Sequence, residues 1–185
     1  AWKETVLGRF SVPQNAQPLD LDSDGDLDVI IGSRGENRLA WFENRSAPGK
    51  LSFVEHAIGI VGGTASGFNL EYADLNNYGR LDIIGAIGTE SLTSALGWLE
   101  QPEQRDSAWI HHPIGSLVPD TITGILMTDI DNDGESELIT GKRYFAHNGG
   151  DPGGKEMPCL YYYDWNKKTK MFTRHTIEEG HVGCG

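Results

Sequence analysis

The sequence predicts an all-β chain built from repeated four-stranded sheets, and three observations predict it. An acidic turn recurs at a near-constant spacing. An aromatic strand follows each turn in register. No window of helical length places its apolar residues at a 3.6-residue period.

The acidic turns lie within three segments that superimpose: Asn15 to Gly32, Phe68 to Gly85 and Gly124 to Gly141. Their leading acids, Asp20, Asp74 and Asp129, stand 54 and 55 residues apart. Each turn is flanked by short runs of β-branched and apolar residues, the pattern of a strand on either side. The third strand of each unit is aromatic: Leu39 to Glu43 around Trp41, Leu96 to Glu100 around Trp98, and Leu160 to Asp164 around Tyr162. A fourth follows at Phe53 to Ile58, Trp109 to Ile114 and Phe172 to Ile177, with His56, His112 and His175 in register.

Four strands per repeat at about 50 residues are the pattern of β-propeller blades, whereas a β-solenoid repeats over much shorter stretches. A sandwich gives no reason for an acidic turn and an aromatic strand to recur together. The expected units are residues 11–58, 59–114 and 115–177. Trp2 to Leu7 matches a fourth strand, so residues 1–10 are expected to be the tail of a preceding blade and residues 178–185 the start of a following one. A closed propeller takes roughly four to eight blades. Three blades are therefore expected to be part of a larger or multi-chain propeller.

The first acidic turn reads Asp20, Asp22, Asp24, Gly25, Asp26, Asp28. Calcium takes about six to eight oxygen ligands, and alternate residues of a tight turn can aim carboxylates at one point. Gly25 permits the sharp bend. Asp20, Asp22, Asp24 and Asp28 are the predicted side-chain ligands, with the carbonyl of Asp26. The third turn offers Asp129, Asp131, Asp133 and Glu137, with the carbonyl of Glu135. An EF-hand begins with the same spacing but needs Glu at position twelve and a helix after it. Here position twelve is Ile31 or Thr140 and a strand follows. The second turn keeps Asp74, Asn76 and Asp82 but has Tyr78 at position five. It is expected to bind weakly or not at all, with hydrogen bonds in place of the ion.

The formal net charge of −12 excludes a nucleic-acid or anionic-membrane partner that reads phosphate through a cationic surface. Much of that charge sits in the acidic turns, where a bound cation would offset it. No apolar run is long enough to span a membrane. No basic segment followed by an apolar one opens the chain, so any signal peptide is expected to have been removed. Asn44-Arg45-Ser46 is an N-glycosylation sequon, consistent with a secreted protein. Cys159 and Cys184 are open to two readings, a disulfide or two separate buried thiols.

Blade geometry sends the acidic turns to one rim and the loops between second and third strands to the other. On that second rim the third unit differs from the others. Its loop from Lys142 to Pro158 is much longer than its equivalents and gathers Lys142, Arg143, aromatics and His147. His181, in the next connection, is expected on the same rim. These four side chains could hold an anionic sugar, and a His beside a cationic clamp could remove a proton α to a carboxylate. The competing reading is that the cations pair with loop acids. The in-register histidines and the stripe Trp41, Trp98 and Tyr162, with Phe53, Trp109 and Phe172, are read as structural.

The repeated Asp-x-Asp-x-Asp-Gly-x-x-Asp turn between apolar strands resembles the FG-GAP/VCBS repeat family, known from integrin α-chain propellers and secreted microbial proteins. The resemblance covers essentially the whole chain and implies a calcium-stabilised propeller. It implies no single activity, because a fold hosts many functions. Three functions are carried forward: a calcium-stabilised extracellular module binding carbohydrate or protein; a carbohydrate-active enzyme resembling polysaccharide lyases that act on uronic-acid glycans; and a structural assembly unit whose partners are the remaining blades. The sequence leaves catalysis open.

Overall fold

The computed structural model describes residues 4–89, 92–114, 122–149 and 154–180. They form three sheets, each built on a four-stranded antiparallel meander with its strands in sequence order, and the middle sheet carries one further short strand. The first comprises β1 (Pro13–Leu19), β2 (Asp28–Ser33), β3 (Arg38–Asn44) and β4 (Phe53–Ile58). A two-residue strand, β5 (Ile60–Val61), follows. The second sheet comprises β6 (Thr64–Ala73), β7 (Asp82–Thr89), β8 (Leu92–Glu100) and β9 (Trp109–Pro113). The third comprises β10 (Ile122–Thr128), β11 (Glu137–Lys142), β12 (Cys159–Asn166) and β13 (Met171–Glu179). The predicted all-β fold of propeller-type blades is the fold observed. Among the described residues no helix is long and apolar enough to cross a membrane.

The sheets stack face to face because side chains alternate across each strand. Ile83 and Ile84 are neighbours in β7, and both are fully buried on opposite faces. Ile83, Ile87 and Leu99 join Ile30, Leu39 and Trp41 in a core shared with the first sheet. Ile84, Leu96 and Trp98 join Leu138, Tyr161 and Tyr163 in a core shared with the third. The middle sheet is thus covered on both sides. Its innermost strand, β6, lies against β1 on one side and β10 on the other. β1 and β6 each bulge at an asparagine in the left-handed region, Asn15 (φ 53) and Asn69 (φ 48).

The in-register histidines have the structural place predicted for them. His56 stacks on Trp41 at 4.6 Å, His112 on Trp98 at 4.2 Å and His175 on Tyr162 at 4.6 Å. Each also meets a carboxylate of the adjacent strand: Glu43 at 3.0 Å, Glu100 at 2.9 Å and Asp164 at 2.7 Å. Of the aromatic stripe, Trp41, Trp98 and Trp109 are buried, and Phe172 packs on the second core. Phe53 and Tyr162 are half-buried.

Two features differ from expectation. The opening segment, read as a strand from Trp2 to Leu7, forms none over its described residues 4–7, and Phe10 packs against β3 of the first sheet. Phe10 meets the Phe42 ring edge-on at 5.9 Å, Arg38 lies over Phe10, and the amides of Arg34 and Gly35 donate to the carbonyls of Val12 and Ser11. The side chains of the first sheet's own β3 hold this segment, so it needs no ladder of its own. β5 was not predicted either. It pairs parallel with β9, Ile60 opposite Trp109 and Val61 opposite Ile110, as a fifth strand on that sheet's outer edge. Residues 1–3 and 181–185, including His181 and Cys184, lie outside the described residues, as does the side chain of His147.

Candidate metal centres

The three acidic turns share one backbone. In each, the leading Asp accepts from the amides of positions five and six. Asp20 takes Asp24 and Gly25 (3.1 and 3.0 Å), Asp74 takes Tyr78 and Gly79 (3.0 and 2.8 Å), and Asp129 takes Asp133 and Gly134 (3.1 and 2.9 Å). Position six is glycine with φ between +74° and +96°, the left-handed region that other residues enter at a cost. Position four is left-handed as well, at Ser23, Asn77 and Asn132. At position nine a buried acid closes the turn by accepting from the amide of position two: Leu21 to Asp28, Leu75 to Asp82 and Ile130 to Glu137. Asp28 and Asp82 also accept from the end of the third strand, at Asn44 and Gln101.

Position two is apolar in every unit and does work of its own. Leu21 is 1% exposed and Leu75 4%, each wedged between its own sheet and the next. The carbonyl of Leu21 accepts from the Gln101 amide, and that of Leu75 from the Trp165 indole at 2.6 Å. The acidic turns are therefore joined to the contacts between sheets.

In the first turn a ligand oxygen from each of Asp20, Asp22 and Asp28 lies within 4.8 Å of the others. The third turn does the same with Asp129, Asp131 and Glu137. Asp24 and Asp133, predicted as ligands, stand outside these groups, and Oδ1 of each accepts from the amide of Asp26 or Glu135. The Glu135 carboxylate pairs with Lys167. Asp22 is the most telling member. Its side chain is 8% exposed; Oδ2 meets Arg105 at 2.6 Å, and Oδ1 is buried without a hydrogen-bond partner. Burial, then Asp28 and Asp24, push its carboxyl above the usual range, against the pull of Arg105. Crowded hard oxygens with one buried and unsatisfied are a donor set that fits a calcium ion.

The second turn brings two carboxylates where the others bring three. Asn76 donates to Glu100 at 3.1 Å and accepts from the Tyr78 amide. The cations of Arg80 and Lys170 lie 5.5 and 5.3 Å from the centre of the Tyr78 ring. Burial first, with Glu100 and Asp74 adding, pushes Asp82 up to about 7, while its two amide donors oppose the shift.

The group predicted on the other rim is only partly described. Lys142, 4% exposed, ends β11 with its ammonium 2.8 Å from Glu156. Arg143 is half-buried, and its Nε lacks a hydrogen-bond partner. The same loop exposes Tyr144, Phe145 and Met157 by 58, 51 and 66%. Phe145 adopts φ 60, a strained state for an aromatic residue. Cys159 is buried in β12. The Asn44 amide nitrogen, the sequon acceptor, donates to the Leu27 carbonyl at 3.0 Å.

Sequence reasoning missed Arg105. From the turn between β8 and β9 it reaches back to the first sheet, lies over the Trp41 ring at 5.0 Å and joins Asp22 to Glu43. Nothing local marks it, since its partners are 83 and 62 residues away.

Three meandering sheets, stacked through a repeated acidic turn, define a propeller-type repeat protein. Residues 20–85 match the family described as FG-GAP-like repeat. No curated protein and no solved structure matches the chain.

Proposed function

We propose that the chain is a calcium-stabilised, extracellular propeller module that binds carbohydrate or protein ligands. The observation that carries this reading is the convergence of Asp20, Asp22 and Asp28, and again of Asp129, Asp131 and Glu137, each within 4.8 Å. Calcium held there, by Asp24, Asp133 and the carbonyls of Asp26 and Glu135 as well, supplies charge neutralisation that fixes each turn. Asp74, Asn76, Tyr78 and Asp82 form the weaker site. The turns in turn position Leu21 and Leu75 between sheets. Secretion fits the Asn44 sequon and the calcium available outside cells.

Chelation tests the metal. At a hundredfold excess of calcium over Kd, each occupied site adds about 2.7 kcal/mol. For a chain of this size each kcal/mol moves the melting temperature by about 2–4 °C, so emptying two sites is expected to lower it by roughly 10–20 °C. Asp20→Asn and Asp129→Asn should each remove about half of that response, and Asp74→Asn little. An unchanged melting temperature in chelator overturns the reading.

For the ligand, the long β11–β12 loop is the strongest surface. Tyr144 and Phe145, with ring centres 6.1 Å apart, present apolar faces that suit a sugar ring or a protein side chain. The ion pair of Lys142 with Glu156 favours binding over the lyase alternative, which needs that cation for substrate. The calcium-loaded protein is expected to bind on a glycan array, to lose at least about tenfold in affinity with Tyr144→Ala, and to turn over no uronic-acid polymer. Turnover abolished by Lys142→Ala would establish the enzyme instead.

A further inference from the structure

The repeat shows what the outward face of the third sheet is built to receive. Position two of the acidic turn is 1% and 4% exposed at Leu21 and Leu75, where a sheet follows, but 40% exposed at Ile130. The isoleucine near the end of the fourth strand behaves the same way. Ile58 is 8% exposed and Ile114 packs on the second core, while Ile177 is 48% exposed. Tyr162 holds the position of Trp41 and Trp98 and is only half-buried.

On the covered faces two further positions of the repeat carry polar side chains that are paired. In the first sheet, position three of the turn and the end of the aromatic strand are both acids, Asp22 and Glu43. The next sheet's turn places Arg105 between them and over Trp41. In the second sheet the pair is an amide and an acid, Asn76 and Glu100, which bond directly at 3.1 Å. The third sheet returns to two acids, Asp131 and Asp164, with the Asp164 side chain half exposed beside His175. Two carboxylates at the repeat positions that flank an aromatic one call for a cation, as Asp22 and Glu43 beside Trp41 do for Arg105.

We propose that this face docks a further sheet of the same repeat type, and that its anchor is an arginine from the turn between the incoming third and fourth strands. The guanidinium lies over Tyr162 and bonds Asp131 and Asp164, while apolar side chains cover Ile130 and Ile177. A planar donor fork spans two carboxylates as a lysine ammonium does not. The inference rests on the propeller reading of the repeat but does not require the metal.

The test uses the whole chain, calcium-loaded, titrated with Nα-acetyl-arginine amide and with its neutral citrulline counterpart, and read by amide chemical shifts. Arginine is expected to give saturable shifts at residues 131, 162, 164 and 175, about tenfold tighter than citrulline because charge-assisted contacts replace neutral ones. Residues 22, 41 and 43 should stay still, because Arg105 already fills their site. Asp164→Asn should abolish the response. Equal binding of citrulline, a response that survives Asp164→Asn, or shifts elsewhere would overturn the proposal. So would concentration-dependent shifts at this face in the protein alone that persist in Asp164→Asn, which would mean that a second copy covers it without the anchor. The melting temperature in chelator judges the metal and these shifts judge the anchor, so the two readings fail separately.

Discussion

Trp98→Ala is expected to cost about 3–5 kcal/mol, the largest loss from any single core truncation in this chain. The indole is 1% exposed and sits in the core between the second and third sheets. One of its faces lies on His112 at 4.2 Å, and Trp165 of the third sheet meets it edge-on at 5.6 Å. Truncation removes both ring contacts and leaves a cavity between two rigid sheets that cannot close over it, since close-packed interiors relax only in part. Total stabilities of domains are about 5–15 kcal/mol, so this one change consumes a large share. Urea denaturation with calcium present is the measurement. A loss below about 1.5 kcal/mol would show that the third sheet is not packed on the second in this way.

Leu21→Ala is expected to cost about 2–5 kcal/mol, whereas Ile130→Ala should cost less than about 1 kcal/mol. The two residues hold the same position in their turns, and both donate an amide to the closing acid, Asp28 or Glu137. They differ in what lies beyond them: Leu21 is wedged against the second sheet at 1% exposure, and Ile130 is 40% exposed. Leu21→Ala should also weaken calcium at the first turn while leaving the third unaffected. The side chain anchors the segment from which Asp20 and Asp22 project. Calorimetric calcium titration of both variants checks this. Equal costs for the two would mean that position two is not the link between turn and neighbouring sheet.

The sequence made the turns and strands legible because their signals are local. Asp20 to Asp28 carry their geometry within nine residues, and Gly25 marks the bend. Even there, the left-handed backbone at Ser23 went unread, since serine signals that conformation far less than the equivalent Asn77 and Asn132 do. The histidines were legible as structural because they recur in register with Trp41, Trp98 and Tyr162. What stayed hidden was contact over distance. Arg105 serves an acid pair that only the neighbouring sheet brings within reach, and Glu156 meets Lys142 across a loop with no counterpart in the other units. The segment from Trp2 to Leu7, read as a strand, has a strand's composition, but strand pairing depends on a partner. Its described residues, 4–7, join no ladder, and the chain just beyond packs Gly8 and Phe10 on the Phe42 ring.

The short parallel strand β5 has a consequence for solubility. A sheet's outermost strand exposes unpaired amides and carbonyls to which another polypeptide can add, the first step of many fibrils. Ile60 and Val61 occupy those groups along the start of β9, opposite Trp109 and Ile110. The connection between two units therefore doubles as a guard, while β4 and β13 carry Glu55, Arg174 and Glu178 in their own outermost strands, charges that discourage the same addition.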